Sequence, residues 1–246
     1  MSKADPRPGA DAACELVIDC ARPLSQELIT GLNELCERVE DAPGETFVLL
    51  RLRASRPDGG QDTAAEPGSW PGEGVGIHLV NRWERALRRL ERLGAVTVAV
   101  AEGRCGGPAL EALLATDHRL GTSETTIELP TTNGEFWPGM AVHRLAGQLG
   151  LVRARRLVLF GAALTAAEAV QAGLLDEIVP DPAAGLAAAR ELSARVTGSE
   201  HALRRRLLLE AATTGYEEAL GAHLAACDRT LRRRQAAAVP VTAVAP

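Results

Sequence analysis

A glycine-rich stretch at residues 102–111 holds the residue types in this chain that are best suited to chemistry. An apolar run at 96–100 precedes it, and a segment with helical spacing at 110–116 follows it. A strand, a glycine-rich turn and a helix start, in that order, predict backbone N–H groups facing a ligand anion, such as a carbonyl oxygen that gains negative charge. Pro108 conflicts with the simplest form of this prediction, because proline has no N–H to donate.

The remaining composition argues against several other kinds of site. The five cysteines are odd in number and form no Cys-x-x-Cys pair, so neither a disulfide framework nor a zinc site is indicated. The five histidines show no metal-binding spacing. With 27 basic and 32 acidic residues the net charge is −5, which gives nucleic-acid binding no bulk support. Without a signal peptide or a membrane-spanning apolar run, we expect a cytoplasmic protein that holds no metal.

Alternating strands and helices must position the glycine-rich turn. Residues 16–18 and 47–52 read as strands, with a helix at about 25–39 between them that Ser25 caps. A long Pro- and Gly-rich loop at 54–76 then leads to a helix at 79–93 and the strand at 96–100. This order predicts an α/β protein with a parallel sheet and crossover helices.

The second half of the sequence changes from strands to helices. A loop at 130–139 should lead into two short helices around Gly150, and Thr165 with Glu168 forms a capping box for a third helix. The pattern then predicts a strand at 174–179 and two Ala-, Leu- and Arg-rich helices at about 183–196 and 200–234. We expect these helices to cover a site or a neighbouring subunit.

Residues 96–180 resemble the enoyl-CoA hydratase/isomerase, or crotonase, superfamily. The turn of that family has an Asn-Gly pair, three glycines, Glu-Leu and Asp-x-Arg. At the same gapless spacing this chain has Glu102-Gly103, Gly107-Pro108-Ala109, Glu111 and Asp117-His118-Arg119. A Pro-Gly turn and a closing signature over 161–180 also match. The residues that carry the likeness are Val96, Gly103, Gly107, Pro108, Ala109, Glu111, Asp117, Arg119, Pro138, Gly139, Thr165, Glu168, Gly173, Asp176 and Pro180.

This resemblance implies a fold and an assembly. The expected fold is a crotonase fold of stacked ββα spiral turns at 13–180, followed by C-terminal helices at 181–235 that cover the site and support trimerisation. It further implies a homotrimer or hexamer and a coenzyme A thioester as substrate, with no separate cofactor.

The shared chemistry of the family is stabilisation of a thioester enolate by two backbone N–H groups, and the resemblance tells where to look for them. Pro108 occupies the position of one donor, so Gly107 or Ala109 would have to replace it. The other donor aligns with Gly59 in the long loop, where a mobile loop segment is an equally good interpretation.

Family hydratases also use two carboxylates as acid and base. The first aligns with Glu111, which could instead simply stabilise a helix N-terminus. The second aligns with Thr131, which has no carboxylate. Phe136 and Trp137 follow, and either line a pocket for an aromatic or polyketide-like acyl group or belong to the core.

A narrower resemblance involves three segments, 83–87, 104–111 and 137–140, which look like the crotonase-like accessory proteins of 3,5-dihydroxyphenylglycine biosynthesis. The resemblance implies an accessory dehydratase that assists a type III polyketide synthase in making 3,5-dihydroxyphenylacetyl-CoA from malonyl-CoA, beside other crotonase-like subunits. Two alternatives stay open. One is an ordinary enoyl-CoA hydratase or isomerase, and the other is a non-catalytic interaction protein with the same fold.

Overall fold

A computed structural model describes residues 13–41, 47–53, 71–72, 74–132, 135–195 and 198–238. The chain divides into two compact units, with the division between His201 and Ala202. The predicted loop at 54–76 lies largely outside the described residues, and Gly59 lies outside them as well.

The first unit contains ten short or medium strands and most of the helices. The strands are β1 (Ala13–Asp19), β2 (Phe47–Arg53), β3 (Val96–Glu102), β4 (Arg104–Cys105), β5 (His118–Gly121), β6 (Thr126–Ile127), β7 (Thr131–Thr132), β8 (Glu135–Phe136), β9 (Leu164–Thr165) and β10 (Glu177–Ile178). The helices among the described residues are α1 (Gln26–Asp41), α2 (Ile77–Leu90), α3 (Gly107–Leu114), α4 (Met140–Phe160), α5 (Ala166–Ala172), α6 (Pro182–Ser193), α7 (Gly198–Ala211) and α8 (Tyr216–Ala238).

Five of these strands form the parallel sheet that the sequence predicts. Their spatial order is β1-β2-β3-β5-β10, and each neighbouring pair is parallel. A three-stranded sheet, β4-β6-β9, and the small β7-β8 hairpin accompany it. Parallel neighbours need crossover connections, and α1 and α2 supply them for the first three strands.

Both faces of the central strands β2 and β3 are buried, because these strands are apolar on both sides. Along β2, Val48, Leu50 and Leu52 belong to the larger core with α1, α2 and α3. Phe47 and Leu49 point to the opposite face and join a smaller core that includes Ala189 of α6. Helix α6 packs closely there, since a Cβ on Gly185 would lie 2.9 Å from Val100 Cγ2.

Local signals in the sequence predict several helix boundaries correctly. Ser25 Oγ accepts a hydrogen bond from the Leu28 N–H at 3.2 Å, so α1 begins where the cap was predicted. Thr165 and Glu168 form the predicted capping box at the start of α5. Gly150 has φ 74° and ψ 158°, and this non-helical residue divides α4 into the two predicted helices.

Three predictions of secondary structure were wrong in detail. The predicted helix at 200–234 is two helices, α7 and α8, because Gly215 and the preceding threonines are poor helix formers. The strand predicted at 174–179 pairs only at Glu177–Ile178. The loop at 130–139 contains the two-residue strands β7 and β8.

The second unit contains the remainder of α7 and helix α8. Apolar side chains such as Leu224 and Leu231 are exposed on α8. The domain boundary at 180, the covering of the site by the C-terminal helices and trimerisation stay predictions.

Candidate active site

Glu111 projects from α3 into the interior of the first unit. The sequence directs it inward because all of α3, from Gly107 to Leu114, is apolar except for this residue. Its side chain is buried, with 2% of its surface exposed. A buried carboxyl group is costly unless it is hydrogen-bonded or neutral, so its contacts decide what it does.

Trp83 of α2 supplies the main contact. Its indole Nε1–H donates a hydrogen bond of 2.7 Å to Glu111 Oε2, and both side chains are buried. Trp83 lies on the inner face of an amphipathic helix with Ala86, Leu87 and Leu90. A buried tryptophan needs a partner for its N–H, and Glu111 is that partner.

The other carboxylate oxygen, Oε1, points towards the turn at the start of α4. A Cβ atom placed on Gly139 would lie 2.5 Å from Glu111 Oε1 and 2.5 Å from Trp137 Nε1. Real Cβ contacts are essentially never this short, so a side chain at position 139 would have to displace one of these groups. Gly139 therefore admits the carboxyl and the indole to the same space.

A small cleft connects Glu111 with its surroundings. The cavity volume of the cleft is about 10 Å³, which is room for about one water molecule. Its lining is mainly apolar and consists of Gly107, Leu110, Glu111, Leu129, Pro130, Trp137 and Ala141. Among these described lining residues, Glu111 alone is titratable in the physiological range.

Burial raises the pKa of Glu111 to about 7, and the negative charge of Glu84 raises it as well. The hydrogen bond from Trp83, the positive charge of Arg144 and a hydrogen bond from the Ala141 backbone lower it, but less. A carboxyl with this pKa is present in both its protonated and its ionised form near pH 7. It can therefore act as an acid and as a base in one reaction cycle.

Arg144 links α4 by charge to α2 and to Glu91, the residue that follows α2. Its Nη1 lies 2.9 Å from Glu84 Oε2, and its Nε lies 2.9 Å from Glu91 Oε1. Burial alone would lower the pKa of Arg144, but Glu91 and Glu84 raise it, so the guanidinium stays charged. Glu91 also pairs with Arg88 at 2.7 Å.

The start of α3 is the place where the sequence predicts an anion-binding turn. Gly107 has φ 54°, which favours glycine, and the N-cap residue Gly106 has no side chain to accept from the first N–H groups of the helix. The Leu110 N–H bonds to the Gly106 carbonyl at 3.3 Å, so Gly107 and Ala109 precede the helical hydrogen-bond pattern. Pro108 lies between them without an N–H.

The structure therefore brings together part of the predicted site. Glu111, Gly107 and Trp137 line one cleft, and Ala109 is buried in the adjoining turn of α3. Gly59 lies outside the described residues, so its role as a donor stays a prediction.

The predicted second carboxylate position lies on the β7-β8 hairpin. Thr131 is exposed there and pairs with Phe136, which is 46% exposed. Neither is among the residues that line the described cleft. The nearby Glu128 forms an ion pair with Arg104 at 2.7 Å, so its carboxylate is engaged elsewhere.

Sequence reasoning missed three contributors to this site. Trp83 was part only of the segment 83–87 with the narrower resemblance, Gly139 only part of a turn, and the cluster of Arg144 with Glu84 was not predicted at all. For Trp83 a signal existed, because a tryptophan on a buried helix face implies a polar partner nearby.

Two further observations limit the chemistry of the described part of the chain. Cys105 is fully buried, and a hydrogen bond with Cys20 together with burial raises the pKa of its thiol, which is the opposite of an activated nucleophile. No group of three or more metal-ligating side chains occurs among the described residues. Likewise, none of the described helices is both long and apolar enough to cross a membrane.

Comparisons with known proteins agree with this architecture. The family model described as enoyl-CoA hydratase/isomerase matches residues 74–238. A protein of Amycolatopsis orientalis named enoyl-CoA-hydratase is 43% identical over 218 residues, which are 89% of this chain and 95% of that protein.

Solved structures are similar in fold at low identity. The enoyl-CoA hydratase of Bacillus anthracis has a TM-score of 0.72 at 19% identity, with 89% of this chain and 86% of that one covered. A putative enoyl-CoA hydratase of Thermobifida fusca, solved in complex with acetoacetyl-CoA, has a TM-score of 0.68 at 19% identity, covering 89% and 91% of the two chains. These similarities confirm the predicted crotonase-like α/β fold.

Proposed function

The chain belongs to the enoyl-CoA hydratase/isomerase family, and we propose that it binds a coenzyme A thioester and transfers a proton to and from its acyl group through Glu111. The observation that carries this proposal is the buried carboxyl of Glu111, with a pKa of about 7, beside the glycine turn of α3. The bound acetoacetyl-CoA of the Thermobifida fusca protein supports a thioester ligand.

We propose a dehydration step with one carboxyl group. The ionised Glu111 takes a proton from the carbon next to the thioester carbonyl, and the electron pair of that C–H bond moves towards the carbonyl oxygen. The double bond then forms as the β-hydroxyl group leaves with the proton that Glu111 returns. Water is the product, and Glu111 is ionised again.

The negative charge on the carbonyl oxygen needs donors in this scheme. The N–H groups of Gly107 and Ala109 at the start of α3 are the candidates on this side of the site, in place of the donor that Pro108 lacks. Gly59 is the candidate for the opposite side. Trp137 supplies an apolar wall for the acyl group.

The finer proposal concerns the pathway. We propose that this protein is an accessory dehydratase for a type III polyketide synthase that makes 3,5-dihydroxyphenylacetyl-CoA, and that it acts beside other crotonase-like subunits. Support comes from the three segments with the narrower resemblance. One of them contains Glu111, and the other two contribute Trp83 and Trp137 to the surroundings of its carboxyl. We further propose a cytoplasmic homotrimer or hexamer, which light scattering of the purified protein would test.

Product analysis of the synthase with malonyl-CoA, with and without this protein, tests the finer proposal. We expect more 3,5-dihydroxyphenylacetyl-CoA when the protein is present, and no such gain with Glu111→Gln. An equal gain from Glu111→Gln would instead favour a non-catalytic interaction protein. No effect of the wild-type protein would contradict the accessory role.

An ordinary enoyl-CoA hydratase is the second candidate, because the 43% identical relative carries that name. Hydration of crotonyl-CoA distinguishes it from the accessory role. We expect slow hydration, since Thr131 stands where a second carboxylate would assist the water. Turnover comparable to that of efficient hydratases would favour this second candidate.

A further inference from the structure

The strength of Glu111 as an acid depends on what holds it in place. The side chain has three rotatable bonds and lies on a helix of eight residues, so a fixed position requires a partner. A cationic partner would lower the pKa of the carboxyl, so that near neutral pH it would be ionised and would have no proton to donate. The partner found here, the Trp83 indole, is uncharged.

The nearest cation is matched by opposite charges. Arg144 pairs with Glu84 and Glu91, and Glu91 also pairs with Arg88, so two guanidinium groups meet two carboxylates. Arg144 therefore presents little uncompensated positive charge to Glu111. Glu84 follows Trp83 directly in α2, so one turn of one helix supplies both the neutral donor and the matching charge.

The groups that face Glu111 come from two helices and one loop. Helix α2 contributes Trp83 and Glu84, and α4 contributes Arg144 and the backbone N–H of Ala141. The described loop residues beside the cleft, Leu129, Pro130 and Trp137, carry no charge.

We propose that Trp83 and Glu84 are positioning residues: Trp83 fixes the Glu111 carboxyl at Oε2 through an uncharged donor, and Glu84 offsets the nearby charge of Arg144. Oε1 is then the oxygen that exchanges the proton, on the side of Gly139 and Trp137. This inference deepens the proposed function and rests on it for the meaning of the proton transfer, but its geometry does not depend on a substrate.

Substitutions of Trp83 and of Glu84 should shift the titration midpoint of Glu111 in opposite directions, a result that structural damage alone would not produce. Trp83→Phe keeps an aromatic ring but removes the N–H that donates to the carboxylate. The titration midpoint of Glu111 should therefore rise by about one pH unit. Glu84→Gln keeps an oxygen for Arg144 and removes a negative charge, so the midpoint should fall by about half a unit to one unit.

Infrared difference spectra of the purified full chain can read this midpoint directly, from the C=O stretch of a protonated carboxyl as pH is stepped. Glu111→Gln identifies the band that belongs to Glu111. Arg85→Gln is the matched control, because it changes one charge on an exposed neighbour in α2 and should leave the midpoint unchanged. If Trp83→Phe folds poorly, Glu84→Gln still tests the electrostatic half, since its side chain is 20% exposed.

The possible outcomes separate this inference from the proposed function. Opposite shifts in the two variants support the positioning role, even if no thioester is turned over and the proposed function fails. Unchanged midpoints, or shifts of the same sign, overturn it, even if turnover of the thioester is high. Where turnover is measurable, its pH profile should move with the spectroscopic midpoint.

Discussion

Two acidic residues, one inside α3 and one just beyond its C-terminus, have surroundings that differ in kind. Asp117 follows the helix, and its Oδ2 accepts hydrogen bonds from the Thr97 N–H and Oγ1 at 2.8 Å and lies 3.0 Å from His201 Nε2. Glu111 is held at Oε2 by one indole, while Oε1 adjoins the apolar cleft. The carboxylate of Asp117 joins β3 to the segment after α3, whereas the carboxyl of Glu111 lines the cleft.

The contrast shows that burial alone does not tell what a carboxyl group does. Two donors of Thr97 and the neighbouring His201 ring meet one oxygen of Asp117 and use its carboxylate as a cross-link. For Glu111, two neutral donors, the Trp83 indole and the Ala141 backbone N–H, fix the position of a carboxyl beside an apolar cleft without adding a positive charge. The same short helix supports both arrangements, because one acid is inside it and the other is in the loop beyond its C-terminus.

The largest expected effect is on proton transfer. Glu111→Gln should lower the gain in dihydroxyphenylacetyl-CoA in the synthase assay by about 10²- to 10⁴-fold, because general acid–base catalysis contributes about that much. Asp117→Asn should leave most of this activity in place. Similar losses in both variants would erase the functional distinction between the two acids.

The next effect is a pH-dependent gain in stability for the same variant. The pKa of Glu111 rises from an ordinary 4.5 to about 7 on folding, so the folded state binds a proton more tightly than the unfolded state between these values. The contribution of this residue to stability therefore falls as pH rises through that window, and Glu111→Gln should be more stable than wild type above pH 7 by about 3 kcal/mol.

Urea unfolding at about pH 5 and about pH 8.5 measures this effect, with the difference between variant and wild type expected only at the higher pH. If Glu111→Gln were instead equally destabilised at both pH values, ionisation of Glu111 would not destabilise the folded state.

A smaller effect is expected from a substitution that crowds Oε1 of Glu111. Gly139→Ala places a Cβ against Glu111 Oε1 and Trp137 Nε1, so we expect a loss of about 2 kcal/mol in the free energy of unfolding. Gly94→Ala is the matched control, because nothing lies within 4 Å of its added Cβ. Equal stabilities of the two variants would mean that the space beside Oε1 is larger than the structure indicates.

The smallest effect is expected for a substitution of Asp117. Asp117→Asn keeps one oxygen for the donors of Thr97 but weakens the bonds by removing the charge, so we expect a loss of about 1 kcal/mol in unfolding free energy. Thermal unfolding followed by circular dichroism is sufficient to detect it. If the free energy of unfolding did not change, the hydrogen bonds of Asp117 would contribute no more to stability than those of an ordinary surface acid.

The sequence was informative wherever a structural signal is local. The glycine turn and the register of Glu111, the caps at Ser25 and Thr165 and the break at Gly150 all depend on residues within a few positions of each other. The parallel sheet followed from the alternation of strands and helices.

The missed features depend on distant parts of the chain. Trp83 and Glu111 are 28 positions apart, and Arg144 and Glu84 are 60 positions apart. Such pairs form only after the helices have packed, and no periodicity in a single sequence states which donor will meet which acceptor. Only the general rule that a buried indole needs a partner pointed towards the first pair.

The strand order of the main sheet has a consequence for how this chain folds as it is synthesised. β1, β2 and β3 are consecutive neighbours, so they can pair once residue 102 has emerged. β5 gains its second neighbour only when Glu177–Ile178 of β10 arrives, and the Asp176 side chain then accepts a bond of 2.7 Å from the Arg119 N–H. Until that moment the edge of β5 is open to pairing with other chains, which makes the interval between β5 and β10 the most aggregation-prone stage of synthesis.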